Sequence, residues 1–139
     1  MRIAVLSFML AIFAVPAQAH EGHDMPPGSN EMLRAPVAAA PELEVIISDV
    51  IIPAGVQVPR HYHPGEEFLY VIEGSATQVE EGKPDQVLGT GQSYVIAPRA
   101  IHEPIGGPEG ARAIVFRVHV KGQPERILVP CDNEADAAE

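Results

Sequence analysis

The chain has 139 residues, with 9 Lys+Arg against 19 Asp+Glu and a formal net charge of −10. That length suits one domain around one hydrophobic core and leaves no room for two. So acidic a chain repels polyanions, which excludes nucleic acid and anionic membrane surfaces as expected partners.

In chain order, Arg2 supplies a charged start, Ile3 to Val15 is nearly all apolar, and Ala17-Gln18-Ala19 is a small-x-small cleavage site. This order predicts a secretory signal peptide over 1–19. The apolar run is shorter than the roughly 20 residues needed to span a bilayer, so no membrane insertion is expected after cleavage. The expected location is periplasmic or secreted. Cleavage removes one arginine and no acid, leaving 8 basic and 19 acidic side chains in a chain that starts at His20. Its single cysteine, Cys131, has no intramolecular partner, so no disulfide framework holds the fold. Asp132 and Glu134 beside it disfavour a thiolate, which argues against a nucleophile.

Residues 20–41 carry prolines at 26, 27, 36 and 41 together with Gly22 and Gly28, and read as an extended N-terminal arm. The segment opens with "HEGHDM", where an α-amine, His20, His23 and two acids lie close together. Such a stretch is either a loose second metal site or a solvated tail. From Leu43 the character changes. "LEVIISDVIIP" is rich in β-branched residues and ends in a turn, and further strands are expected at Phe68 to Val79, Val87 to Ala97, Arg112 to Val120 and "RILV" at 126–129. No stretch holds apolar residues at helical spacing for three turns, which excludes a helical bundle. The expected fold is all-β, a sandwich or barrel over 42–130, followed by an acidic C-terminal tail at 131–139 that lacks large apolar residues.

The chemistry concentrates in "GVQVPRHYHPGEEFLYVIEG", residues 55–74. On a strand, residues i and i+2 share a face, so His61 and His63 project together while Tyr62 points away. Pro64-Gly65 then turns the chain, which brings the carboxylate of Glu67, or of its neighbour Glu66, back beside them.

The spacing of Gly55, His61, His63, Glu67 and Gly74 resembles the first motif of the cupin superfamily, position for position. Gly91, Pro98 and His102 resemble its second motif, and the interval from Gly91 to His102 is the family's interval. Three positions depart from that second pattern. Pro98 sits one residue late, Ala100 stands near the usual glycine, and Gly106 stands where an asparagine is often found. The resemblance covers about Leu43 to Val129. It implies a small single-domain jelly-roll barrel that binds one divalent metal through His61, His63, Glu67 and His102.

The physical argument runs the same way. Three imidazoles and a carboxylate facing an apolar interior are costly to bury without a compensating cation. Nitrogen and oxygen donors without a thiolate suit Fe, Mn, Ni, Cu or Zn, and do not choose among them. Four protein donors on an octahedral ion leave two positions for a small-molecule substrate. The expected function is a metal-dependent enzyme of dioxygenase or lyase/isomerase type; the alternative is a non-catalytic metal- or ligand-binding module. No catalytic residue is assigned. Tyr62, Tyr70, Tyr94, Arg60 and Arg99 lie nearest the ligands in sequence, and Tyr94 and Phe116 are candidate pocket lining. Arg117 and His119 read as a solvated outer face opposite Ile114, Phe116 and Val118. A homodimer is expected, because "LEVIISDVIIP" is too apolar for a free edge strand.

Overall fold

In "LEVIISDVIIP" successive residues are apolar with little alternation, the pattern of a strand covered on both sides. A computed structural model describes residues 25–130 and places this stretch inside a sheet. The expected signal segment, His20, His23, Cys131 and the acidic tail lie outside the described residues. The strands are β1 (Gly28–Val37), β2 (Ala40–Ile52), β3 (His61–Tyr62), β4 (Glu67–Gln78), β5 (Gln86–Gly89), β6 (Ser93–Ile96), β7 (Ile105–Val120) and β8 (Ile127–Leu128). The fold is the all-β jelly-roll barrel that the sequence predicts.

One wall is an antiparallel sheet in the order β1-β2-β7-β4-β5, with β6 also paired to β4. The facing wall is thinner. It consists of β3 paired with β8, together with isolated bridges joining Gln57 to Ile105, His61 to His102 and Glu80 to His102. Ile46, Ile52, Val71, Ala76, Leu88, Ile96, Ala111 and Val115 point between the walls and form the buried core. Each fully buried valine, leucine or isoleucine among these contributes about 1.5–3 kcal/mol, the two alanines less.

Two local features set the direction of side chains near the site. Along β4, Val71 lies opposite Ala113 and Glu73 opposite Arg112, so Ile72 is an extra residue and the strand carries a bulge. Glu67, Leu69 and Val71 therefore face inward before the bulge, and Gly74, Ala76 and Gln78 after it. The motif glycine Gly74 has φ +66°, and a Cβ there would lie 2.1 Å from the Gly110 carbonyl oxygen. The close approach requires glycine at that position, and the left-handed φ favours it.

Some elements differ from the sequence reading. From Gly28 the expected arm is strand β1, paired along β2 from Gly28 opposite Ile51 to Val37 opposite Ala40. The single strand expected over Val87 to Ala97 is two, β5 and β6, separated by a turn in which Gly91 takes φ +86°. Because β1 covers β2, the premise of a free β2 edge is corrected. What the sheet exposes is an apolar row on its outer face. Leu33, Ile47, Phe116, Phe68 and Val95 lie in register across β1, β2, β7, β4 and β6.

Candidate metal centre

The two motifs meet through their backbones before their side chains do. His61 N–H donates to the His102 carbonyl (3.0 Å) and His102 N–H to the His61 carbonyl (2.9 Å), a reciprocal antiparallel pair that puts both imidazoles on one face. Arg99 N–H donates to the His63 carbonyl (2.8 Å), which ties the second turn to the first motif. Arg99 takes φ +63° to do so. The irregular Pro98-Arg99-Ala100 turn thus delivers His102 by placing a non-glycine residue in left-handed space, at a modest cost in strain.

His61, His63 and His102 are all buried, and each offers a ring nitrogen, the three lying within 4.8 Å of one another. Their other ring nitrogens are committed. His61 Nδ1 donates to the Pro59 carbonyl (2.6 Å), His63 Nδ1 to the Glu125 carbonyl (2.6 Å) and His102 Nδ1 to the Ala100 carbonyl (2.9 Å). A carbonyl only accepts, so each Nδ1 carries the proton and each Nε2 presents a lone pair. Burial, reinforced by His102, pushes the His61 pKa down to about 3, and burial with Arg117 also lowers that of His63. Both rings are neutral at pH 7, the form a metal requires.

Glu67, and not the exposed Glu66, faces these rings. Its Oε2 lies 3.2 Å from His63 Nε2, a nitrogen that is buried and has no hydrogen-bond partner among the described residues. Burial raises the carboxyl's pKa, but Arg117, His63 and His102 outweigh burial and hold it below the ordinary carboxylate value. An anionic oxygen therefore faces an imidazole lone pair. Two electron-pair donors in that position repel unless a cation lies between them, and adjacent donors about 2.1 Å from an octahedral ion are about 3 Å apart. The three-histidine cluster fits a divalent metal, with the Glu67 carboxylate beside His63 but outside the group of donor atoms that lie within 4.8 Å of one another.

Arg117 is the residue the sequence reading missed. It was expected on a solvated face with His119; instead both are buried, at 6% and 3% exposure, while Phe116 is 37% exposed. Arg117 Nε donates to Glu67 Oε2 (2.6 Å), and Nη1 to Glu125 Oε1 (2.9 Å) and Ser48 Oγ (3.3 Å). His119 Nε2 lies 3.1 Å from the Gln123 carbonyl. The error came from counting Ile114, Phe116 and Val118 as the core face, when this sheet is apolar on its outer side as well. The available signal was electrostatic: a buried carboxylate calls for a countercharge.

The four candidate donors line a chamber of about 600 Å³. The rest of its wall is largely aliphatic, including Val50, Ile52, Leu69, Val71, Leu88 and Val115. None of the three tyrosines lines it. Tyr94 donates instead to Glu80 Oε2 (3.1 Å), and Tyr70 is half exposed. Arg60 pairs with Glu81 and Arg99 serves the turn. The suggested lining by Tyr94 and Phe116 is therefore corrected.

Comparison with known families matches the cupin domain over residues 48–117. Among curated proteins, dimethylsulfoniopropionate lyase DddQ of Ruegeria pomeroyi is 35% identical over 63 residues, which is 45% of this chain and 28% of the lyase. A crystal structure of that lyase superposes with a TM-score of 0.53 at 25% identity, covering 63% of this chain and 43% of the other. The chain thus spans less than half the length of the lyase it matches. An uncharacterized protein with a double-stranded β-helix domain from Klebsiella pneumoniae superposes with a TM-score of 0.59 at 18% identity, covering 88% of this chain and all of the other. Bacillus subtilis oxalate decarboxylase gives 0.56 at 17% identity over 76% and 29% of the two chains. The last two share the fold.

Proposed function

The chain belongs to the cupin family, and from that premise we propose that it is a mononuclear metalloenzyme holding one divalent transition metal through His61, His63, Glu67 and His102. The observation that carries this reading is the pair of buried donors, His63 Nε2 and Glu67 Oε2, facing each other at 3.2 Å without a hydrogen bond from His63 Nε2. A bound divalent ion supplies Lewis acidity for a substrate oxygen or, if redox-active, access to dioxygen. The protein's own part is to fix three imidazole tautomers, keep Glu67 ionised through Arg117 and exclude water with an aliphatic wall.

The substrate is a small organic molecule, because the chamber is small and mostly apolar. Lyase or isomerase chemistry is favoured over oxygenation, on the similarity to a protein named as a dimethylsulfoniopropionate lyase. One observation favours the alternative of a non-catalytic binding module: no tyrosine lines the chamber, and its best-placed carboxylate is already held by an arginine. Elemental analysis of purified protein, followed by oxygen-uptake and substrate-loss assays on the metal-loaded form with dimethylsulfoniopropionate and small carboxylates, separates these readings. A metal content far below one per chain after loading would remove the proposal.

Export belongs to the same proposal and rests on the Arg2-to-Ala19 pattern alone. Intact mass of the cell-exported protein tests it: a product starting at His20 is expected, and one retaining residues 1–19 refutes cleavage. The homodimer is likewise proposed, now through the exposed apolar row across the sheet, since a solvated outer face is ordinarily polar.

A further inference from the structure

Gln78 ends β4 and is 3% exposed, yet its Nε2 has no hydrogen-bond partner among the described residues. It lines the chamber that holds the three histidines, beside the apolar side chains of Ala76 and Leu88. The bulge at Ile72 turns it inward; unbroken alternation from Glu67 would point it out. The register then fixes how near it lies to the metal centre. Thr77 is opposite Ile105 and Glu80 is opposite His102, so Gln78 faces Pro104 and is the diagonal neighbour of His102. Diagonal neighbours in such a ladder are about 7–8 Å apart at Cα, and long side chains span that gap. Pro104 has no N–H of its own.

A buried amide nitrogen with no partner among the described residues adds no hydrogen bond to the fold, and a methionine of similar length would fill the same space without its desolvation penalty. Resting on the metal-centre reading above, we propose that Gln78 is a ligand-anchoring residue. Its amide hydrogen-bonds a second oxygen of a bifunctional ligand whose first oxygen, a carboxylate, binds at the His61–His63–His102 centre. The substrate class is then a short-chain organic acid carrying a second oxygen, carbonyl or hydroxyl, a few carbons away. The carbon body of the ligand lies against the aliphatic wall. Nε2 and Oε1 exchange by a half-turn of the amide without changing its shape, so the residue accommodates either a carbonyl or a hydroxyl.

The test uses Co(II)-loaded protein and three probes, hexanoate, 4-oxohexanoate and 5-oxohexanoate, with binding read from the visible Co(II) spectrum. In the unsubstituted protein at least one oxo-acid should bind about five-fold tighter than hexanoate, the ratio expected for one neutral hydrogen bond. Gln78→Met should abolish that preference and leave hexanoate affinity within about two-fold. The metal-free Gln78→Met protein should melt at or above the temperature of the unsubstituted protein. Gln78→Asn, which keeps the amide but shortens its reach, should reduce the preference. Equal binding of all three probes in the unsubstituted protein, or a preference that survives Gln78→Met, overturns the role of Gln78 while leaving the metal centre standing. A lower melting temperature for metal-free Gln78→Met also overturns it, in favour of a structural role. A spectrum that responds to none of the acids overturns this inference, whereas the metal-centre reading falls only if the loaded protein holds far less than one metal per chain.

Discussion

Replacing Arg117 with Met removes the one cationic side chain that contacts Glu67 among the described residues. In the metal-free protein the loss should be large, because Glu67 Oε2 accepts from Arg117 Nε at 2.6 Å and both side chains are under 10% exposed. Breaking a buried pair from one side costs about 3–5 kcal/mol, mostly for the charge left behind. A further contribution comes from Glu125 and Ser48, which lose Arg117 Nη1. At about 4 °C per kcal/mol for a domain of this size, the metal-free variant should melt on the order of 10–20 °C lower. A bound divalent ion supplies a second countercharge to Glu67, so the same substitution should cost distinctly less in the metal-loaded protein. Thermal denaturation followed by circular dichroism, on chelator-treated and metal-loaded samples of both proteins, measures the difference. The double variant Glu67→Gln/Arg117→Met should recover much of the loss, because no charge is then stranded. The reasoning fails if Arg117→Met costs less than about 1 kcal/mol without metal, or if the cost is the same with and without it.

Four further outcomes are expected. His63→Ala should reduce bound metal strongly, while His23→Ala should leave it nearly unchanged, as read by elemental analysis; the reverse result would move the site to the N-terminal segment. In metal-free protein, stability should fall as pH drops from about 6.5 toward 3, because His61 takes up its proton in the unfolded chain near 6.5 but in the folded chain only at about 3. Glu67, held below its ordinary 4.5, adds a loss of the same sign at the acid end; a denaturation midpoint flat between pH 7.5 and 5 would contradict the His61 shift, and one flat below 4.5 the Glu67 shift. Gly74→Ala should destabilise by roughly 3 kcal/mol or more, since its Cβ meets the Gly110 backbone oxygen at 2.1 Å in a left-handed conformation; a change in urea midpoint worth under about 1 kcal/mol would show that the turn relaxes. Sedimentation should give a dimer that Phe116→Glu converts to monomer, and a monomer at all concentrations in the unsubstituted protein would end the dimer proposal.

Local spacing in the sequence specified the strand class and, by period-2 alternation, put His61 and His63 on one face. The choice of barrel over sandwich, and His102 as their partner, came from the resemblance to the two cupin motifs. The sequence left Glu66 and Glu67 as alternatives, and only the β4 register with β7 turned Glu67 inward. It could not locate the bulge at Ile72, because an extra residue is visible only against a partner strand. Without that bulge Gln78 reads as an outer residue. Nor could it orient β7, where "IVFRVHV" alternates cleanly but both faces of the sheet carry apolar residues, so the pattern does not say which side is the interior. The barrel decided, through the pairing of β7 between β2 and β4, and it buried Arg117 and His119 and exposed Phe116. Alternation along a strand is a property of the chain, whereas inside and outside are properties of what the sheet closes around.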